Sequence, residues 1–199
     1  MIPRIVITNA ALIGIALLVP ASVLADTVTL QPTKDNTLYE PVQQTSFNDT
    51  SNALGPNMFV GKVKDADADP GAGTRVAVRR AVLAFNIAGN IPAGATINSV
   101  QLTLVATKVA QNNSFSVRLH RIQSDWGNGT SNSGNSQQGR GVTPTTNDPT
   151  WTHTFYSTQF WGTPGGDYSG TISAATNVGA VGSYTWGSDR KSTRLNSSH

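Results

Sequence analysis

The chain of 199 residues contains no cysteine, so no disulfide bond stabilises its fold and no thiolate serves as a nucleophile. It contains one glutamate, Glu40, and three histidines, His120, His153 and His199. Small secreted scaffolds that depend on disulfide bonds are therefore excluded, and packing must stabilise the fold. The scarcity of histidine and glutamate also leaves few groups for acid–base catalysis.

Common catalytic motifs are missing as well. The sequence has no Gly-x-Ser-x-Gly elbow and no His-Glu-x-x-His motif. A glycosidase needs two facing carboxylates, and Glu40 with an aspartate would form such a pair. Glu40 follows a predicted strand, where capping a turn or pairing with an arginine is the simpler role. Structural roles are also favoured for His120 and His153, so we expect a protein that is not an enzyme.

The N-terminal segment is typical of a secretory signal peptide. Residues 1–25 contain Arg4, an apolar stretch over Ile5–Leu24 and a small-residue cleavage pattern that ends at Ala25. Pro20 interrupts the apolar stretch, which lacks the roughly 20 continuous apolar residues of a membrane span. We predict that the chain is exported to the cell surface or beyond, and that the mature chain has no membrane span.

The C-terminal segment 189–199 resembles the translation of a sequencing adapter, which predicts that the domain over 26–188 is incomplete at its C-terminus. The whole chain has a formal net charge of +3, but 26–188 holds ten basic and ten acidic residues and is neutral. A neutral domain gives no support to a nucleic-acid partner. The length of this segment predicts a single domain.

Apolar residues recur with period two in short runs bounded by Gly, Pro, Asn and Ser, which indicates half-buried strands. The predicted strands are Thr27–Gln31, Thr37–Tyr39, Phe59–Val63, Arg79–Asn86, Ser99–Lys108, Ser114–Gln123, Thr152–Tyr156 and Ser183–Trp186. Several such strands without helical patterns between them predict an all-β fold, namely an antiparallel, jelly-roll-like β-sandwich. The polar stretch Asn128–Asn147 predicts a long mobile loop.

Four blocks of sequence carry a family resemblance. Asp148–Asp167 sets large aromatic residues among turn formers, Lys34–Glu40 reads KDNTLYE, and Ser124–Thr130 reads SDWGNGT. Two strong strand patterns are joined by Ile91–Ile97, which has the pattern I-P-x-G-A-x-I. Together these blocks resemble the DNRLRE domain, a secreted β-sandwich module related to carbohydrate-binding and disaggregatase-type repeats. The resemblance covers nearly all of 26–188 and implies a bacterial extracellular protein.

Aromatic and polar residues near the predicted loops form the candidate ligand-binding set. Sugars stack their apolar faces on exposed aromatic rings, and their hydroxyls bond to Asn, Asp and Arg. The candidates are Asp125, Trp126, Arg140, Trp161 and Tyr168. Trp126, beside the polar loop, is the first choice for ligand contact. The alternative for Trp151 and Trp161 is that they fill the open ends of the sandwich.

Three arginines are candidates for binding the carboxylates of uronic acids, because a guanidinium group matches carboxylate geometry. They are Arg118, Arg121 and Arg140. Such a site would suit an acidic polysaccharide such as alginate, which relatives of the module are thought to bind. The alternative is that these arginines are cross-strand partners of aspartates.

One acidic run invites a metal interpretation. It contains Asp65, Asp67 and Asp69, whose alternating carboxylates are able to converge on a hard cation. Pro70 occupies the place where an EF-hand loop needs glycine, so the match to that motif is poor and a solvated acidic loop is the alternative. A structural calcium ion, bound here or at Asp35, is the one cofactor that we consider.

The sequence therefore predicts a secreted, non-catalytic module that binds an extracellular polysaccharide or a matrix component of the cell surface. Two alternatives stay open. The first is a structural module of a larger cell-surface protein with no small ligand. The second is an accessory segment of a polysaccharide-degrading enzyme.

Overall fold

The computed structural model describes residues 26–41, 49–64, 76–109, 113–135 and 139–189. Within these ranges the chain forms β-strands and no helix, which confirms the predicted all-β class. The strands are β1 (Lys34–Tyr39), β2 (Gly61–Lys64), β3 (Val76–Ala84), β4 (Ser99–Ala106), β5 (Phe115–Ile122), β6 (His153–Phe155), β7 (Gln159–Phe160), β8 (Tyr168–Val178) and β9 (Gly182–Asp189). A search of the described residues finds no helix of the length and apolarity that a membrane crossing requires.

The strands of the described part pair in antiparallel sheets. β3 lies between β1 and β2, and the other sheets are the pairs β4–β9, β5–β8 and β6–β7. Two hydrogen bonds join the β4–β9 and β5–β8 pairs. Trp186 Nε1 donates to the Val117 carbonyl at 2.8 Å, and Thr176 Oγ1 donates to the Thr185 carbonyl at 2.7 Å. Closure of these sheets into a jelly-roll-like sandwich stays a prediction.

Seven of the eight predicted strands overlap strands of the structure. The prediction of a strand over Thr27–Gln31 is wrong, because residues 26–33 form no strand and are largely exposed. β8, which has 11 residues and is the longest strand of the described part, was not predicted from the sequence. Its composition of Ser, Gly, Thr, Ala and Asn hides the apolar alternation on which strand prediction depends.

The hydrophobic core lies on one face of the β1–β3–β2 sheet. It contains the buried residues Leu38, Val82, Trp126, Trp151 and Trp161, with Val78, Ala84 and Ile122 packed against them. Alternation along β3 sends its even-numbered residues to this face. The three tryptophans come from loops, so the core is completed by segments distant in sequence from β1 and β3.

A buried polar layer connects these loops to β1. Asn36 Nδ2 donates to Ser51 Oγ at 2.8 Å, and Asn52 Oδ1 accepts hydrogen bonds from the backbone and hydroxyl of Ser133. Ser131 and Ser133 are 2 % and 7 % exposed. The described part of the predicted mobile loop Asn128–Asn147 is therefore held in place at these residues by hydrogen bonds, because buried polar groups need partners.

The two ends were predicted to lie outside the folded domain. Residues 1–25, the predicted signal peptide, and residues 190–199 lie outside the described residues. Asp189, the first residue of the predicted adapter-derived segment, pairs with Ser99 at the end of β9. The division of the chain into these segments stays a prediction.

Candidate functional site

Two tryptophans of the predicted binding set lie in the core. Trp126 is 1 % exposed and Trp161 is 4 % exposed. The ammonium group of Lys34 lies 4.8 Å from the centroid of the Trp126 ring and covers it. A sugar stacks only on an exposed ring face. In this structure the two rings fill the interior instead of forming the predicted stacking platform, and Trp151, at 9 %, does the same.

Asp125 remains at the surface. Its carboxylate lies 2.9 Å from Lys34 Nζ and accepts a hydrogen bond from the Trp126 backbone N–H, and its side chain is 80 % exposed. The hydrogen bond from Lys34, followed by that from the Trp126 backbone, lowers the pKa of Asp125. This ion pair holds the Lys34 side chain over Trp126, and it leaves one face of the Asp125 carboxylate open to solvent.

Asp167 organises the turn that precedes β8. Its Oδ2 accepts hydrogen bonds at 2.9 Å from the Gly162 N–H and from Ser124 Oγ, and its Oδ1 accepts one from the N–H of Thr163. The backbone bond from Gly162, the largest cause, and the Ser124 bond lower the pKa of Asp167. The contact with Ser124 joins the segment that carries Asp125 to the segment that carries Tyr168.

These two carboxylates predict loss of stability in acid. Folding lowers the pKa of Asp167, so its ionised carboxylate stabilises the folded protein. This stabilisation is fully present above the pKa of an aspartate in the unfolded chain, near 4, and is lost as the pH falls through the lower pKa of the folded protein. The pKa of Asp125 is also lowered, so its carboxylate stabilises the folded protein in the same pH range. Burial raises the pKa of Asp35, so ionisation of that residue disfavours the folded protein. We expect Asp167→Asn to be less stable than the wild type at neutral pH, with the difference narrowing below about pH 4.

Urea denaturation at neutral pH and at about pH 2.5 measures this narrowing. A difference between wild type and Asp167→Asn that stays constant over this range would show that the Asp167 carboxylate contributes nothing through its charge.

The predicted residue Tyr168 forms a cluster with an arginine of β3, here called the Arg80–Tyr168 site. It consists of Arg80, His120, Trp151, Gly165 and Tyr168. The guanidinium carbon of Arg80 lies 4.9 Å from the ring centroids of both Trp151 and Tyr168. Tyr168 is 40 % exposed, whereas Trp151 is buried. The guanidinium group is thus held between an interior ring and a surface ring, an arrangement that cation–π attraction stabilises.

The backbone around the site explains its shape. Arg80 lies opposite Leu38 in the pairing of β1 with β3, on the face that carries the core. Its Nη1 donates to the Gly165 carbonyl at 2.6 Å. Gly165 has φ of +90°, and a Cβ there would lie 2.5 Å from Arg80 Nη1 and 2.8 Å from Trp151. Glycine therefore lets the 162–166 turn approach the arginine closely.

Arg80 has spare hydrogen-bonding capacity. A guanidinium group carries five N–H donors, and the described contacts of Arg80 use one of them, toward Gly165. No carboxylate among the described residues lies within ion-pair distance of it. An anion that reaches the surface beside Tyr168 would therefore meet donors that are positioned but not engaged.

His120 borders the site on β5. Its Nδ1 lies 2.8 Å from the Ser169 carbonyl, and its ring meets Tyr168 edge-on with centroids 5.3 Å apart. Because a carbonyl oxygen accepts, Nδ1 is the protonated nitrogen. His120 therefore buttresses Tyr168, which agrees with the structural role expected for it.

The other predicted arginines lie elsewhere. Arg118 and Arg121 are exposed on β5, and Arg118 lies opposite Ala175 of β8, so the pairing places no aspartate across from it. The backbone carbonyl of Arg140 accepts a hydrogen bond from Thr50 Oγ1.

Glu40 has the structural role that its position favours. Its Oε2 accepts a hydrogen bond from the Val78 backbone N–H at 2.7 Å, and its carbonyl accepts one from Arg79 at 3.1 Å. Glu40 therefore joins the end of β1 to β3. Arg79 is 5 % exposed and lies on the face of the sheet opposite Arg80.

The predicted metal ligands Asp65, Asp67 and Asp69 lie outside the described residues. Among the residues that the structure describes, no three His, Cys, Asp or Glu side chains are grouped so as to hold a metal ion. The structural calcium ion therefore stays a prediction.

A largely buried histidine–aspartate pair lies at the start of β6, where the side chains of His153 and Asp49 are 10 % and 15 % exposed. His153 Nδ1 is 3.0 Å from Asp49 Oδ2, 2.9 Å from Thr152 Oγ1 and 3.2 Å from Thr150 Oγ1. In a hydrolase triad the carboxylate and the hydroxyl nucleophile meet different ring nitrogens. Here the carboxylate and both hydroxyls meet the same nitrogen, so this group does not reproduce that arrangement.

Comparison with known proteins adds no relative: no family model, no curated protein and no solved structure matches this chain. The fold and the site define its class as an all-β chain of antiparallel sheets with an arginine–aromatic cluster at the surface.

Arg80 was not among the predicted binding residues, although the sequence carries a signal for it. Arg79 and Arg80 are adjacent in a predicted strand, and alternation sends adjacent strand residues to opposite faces. One arginine of such a pair must face the core side of the sheet, where an unpaired charge is costly unless aromatic rings or hydrogen bonds receive it. The doublet therefore marks a position that needs a specific partner.

Proposed function

We propose that this chain is a secreted, non-catalytic module that binds an extracellular polysaccharide, and that the Arg80–Tyr168 site holds an acidic sugar of that polymer. The observation that carries the proposal is the guanidinium group of Arg80, fixed between two rings and without a described carboxylate partner. The resemblance to the DNRLRE domain supports the same class of ligand.

The chemistry of the site suits a uronic acid residue. The exposed side of Tyr168 offers a flat apolar surface to the C–H face of a pyranose ring. The free donors of Arg80 are suited to a carboxylate, to which charge-assisted hydrogen bonds are short and strong. The two rings partly exclude water from the guanidinium group, which strengthens its attraction to an anion.

Two substitutions test the proposal. Tyr168→Ala removes the stacking surface, and Arg80→Gln removes the charge while keeping a donor for the Gly165 carbonyl. We expect each to weaken binding to alginate or polygalacturonate about tenfold, since a cation–π or aromatic contact contributes about 1–2 kcal/mol. Retardation of the folded protein in native gels containing the polysaccharide measures the dissociation constant.

Arg118→Gln is the matched control, because Arg118 is exposed on β5 and lies outside the site. It should bind as the wild type does. Loss of binding in Arg118→Gln with full binding in Arg80→Gln would move the acidic-sugar site to β5. Tyr168→Ala changes a half-exposed side chain, so urea denaturation should show a loss of no more than about 1 kcal/mol, the size of its contact with Arg80, and a folded variant for the binding test.

A second candidate function, a structural module of a larger surface protein, is favoured by apolar side chains left uncovered on the sheets. Val100, Val105, Phe115 and Ile172 are 57 %, 65 %, 59 % and 45 % exposed. Surfaces of this kind often serve protein contacts. Wild-type protein that is retarded by none of the acidic polysaccharides would favour this second function.

A further inference from the structure

We infer that the β6–β7 hairpin carries a second ligand-binding site, here called the Phe160–His153 site, which takes an uncharged pyranose. It consists of Asp49, Thr152, His153, Tyr156 and Phe160. The inference goes beyond the proposed function, because it concerns different residues and a ligand of different charge, and either site is able to exist without the other.

Phe160 is an exposed aromatic platform. It is 67 % exposed, a larger fraction than any other described large apolar side chain. It lies opposite His153 in the pairing of β6 with β7, and the two rings lie 4.3 Å apart at an angle of 31°. Alternation buries the next residue, Trp161, in the core. The hairpin therefore fixes one face of the Phe160 ring against His153 and leaves the other open.

The hydrogen bonds of His153 assign its tautomer. The hydroxyl of Thr152 donates to Asp49, whose two carboxylate oxygens lie 2.9 Å and 2.8 Å from it. The Thr152 hydroxyl oxygen also lies 2.9 Å from His153 Nδ1. Because the single hydroxyl proton is directed to Asp49, Nδ1 must be the donor in this contact. In the neutral imidazole the lone pair is then on Nε2, at the opposite edge of the ring.

The Nε2 atom of His153 indicates a ligand with a hydroxyl group. None of the described contacts of His153 involves Nε2, although the side chain is only 10 % exposed. A carboxylate and two hydroxyls hold the other edge of the ring, so the direction of the Nε2 lone pair is fixed. A sugar hydroxyl that donates to Nε2 would place the sugar beside the His153 ring, whose aromatic neighbours are Phe160 and Tyr156, with centroids 4.3 Å and 5.1 Å from it.

The charge around the site selects a neutral sugar. The Asp49 carboxylate lies 3.0 Å from the histidine ring and would repel a uronic acid. Among the described residues, no hydrogen bond, ion pair or cation–π contact joins a lysine or an arginine to Phe160 or His153. The Phe160–His153 site therefore differs in ligand charge from the Arg80–Tyr168 site.

Native gels that contain galactomannan, xyloglucan or hydroxyethyl cellulose test this inference, with alginate gels run in parallel. We expect retardation of the wild type in at least one neutral gel, and a dissociation constant about tenfold higher for Phe160→Ala and for His153→Asn. The asparagine amide is able to replace Nδ1–H toward Asp49 but offers nothing in place of Nε2. Phe115→Ala is the matched control, because Phe115 is also an exposed phenylalanine but lies on β5. This variant should bind as the wild type does.

The outcomes separate the two sites. Neutral gels that do not retard the wild type overturn the Phe160–His153 site, whatever the alginate gels show. The same holds if Phe160→Ala binds as the wild type does, or if Tyr168→Ala abolishes neutral binding while Phe160→Ala does not. If His153→Asn proves unfolded by circular dichroism, Phe160→Ala decides, because its exposed side chain contributes little to stability. Loss of alginate retardation alone counts against the Arg80–Tyr168 site only.

Discussion

Replacement of Trp126 by alanine is expected to lower the free energy of unfolding by about 3–5 kcal/mol, the cost of removing a large aromatic side chain from a core. The ring is 1 % exposed and belongs to the same cluster as Leu38 and Val82. It is held from above by Lys34, whose Nζ bonds to Asp125 and to the Trp126 carbonyl. Alanine would leave a cavity that these strands cannot close without moving.

Urea denaturation monitored by circular dichroism measures the effect. Phe115→Ala is the control, because Phe115 is 59 % exposed and its loss should change stability by no more than about 0.5 kcal/mol. A Trp126→Ala protein that is as stable as the wild type but no longer binds polysaccharide would contradict the core assignment. It would return Trp126 to the ligand-contacting role that its sequence context predicts.

Replacement of Gly127 by alanine is expected to lower the free energy of unfolding by about 1–3 kcal/mol, as overpacking does. A Cβ at this position would lie 2.0 Å from the Asn147 carbonyl oxygen and 2.8 Å from Phe155. The first neighbour is backbone, so relief requires movement of the 145–148 segment. That segment is anchored by Asp148, which is fully buried and accepts hydrogen bonds from the backbone and hydroxyl of Thr145.

Gly170→Ala provides the matched comparison, since a Cβ on Gly170 meets nothing within 4 Å. It should leave stability unchanged, or raise it by up to about 1 kcal/mol through a less flexible unfolded chain. Chemical denaturation of the two variants side by side gives the difference. Equal stabilities would mean that the 126–130 and 145–148 segments are not packed as closely as the structure has them.

The strand pattern was the part of the fold most open to prediction. Val100, Leu102 and Leu104 alternate with polar residues in β4, and Val117 and Leu119 do so in β5, so periodicity alone locates both strands. In β8 periodicity does not locate the strand, because its small polar and small apolar residues differ little in hydropathy. Its position is set by pairing with β5, which runs from Phe115 opposite Val178 to Ile122 opposite Tyr168.

The candidate site was open to prediction only in part. Tyr168 is exposed and Asp125 lies at the surface, as a ligand-binding role requires, but Trp126 lies one residue from Asp125 and is buried. An exposed and a buried tryptophan look alike in a loop sequence, since hydropathy alone does not report on which side of a loop the core lies. The partner of Tyr168, Arg80, is 88 residues away in the chain, and only folding reveals the contact.

The amino-acid sequence by itself determined the all-β class, the absence of disulfide bonds and the places of most strands, because side-chain alternation and turn formers are local properties of the chain. The tertiary structure alone decided which aromatic rings are interior and which face solvent. It also brought Arg80 to Tyr168 and Asp49 to His153. These outcomes depend on contacts between distant segments, whose geometry follows from packing around the core and not from any local pattern.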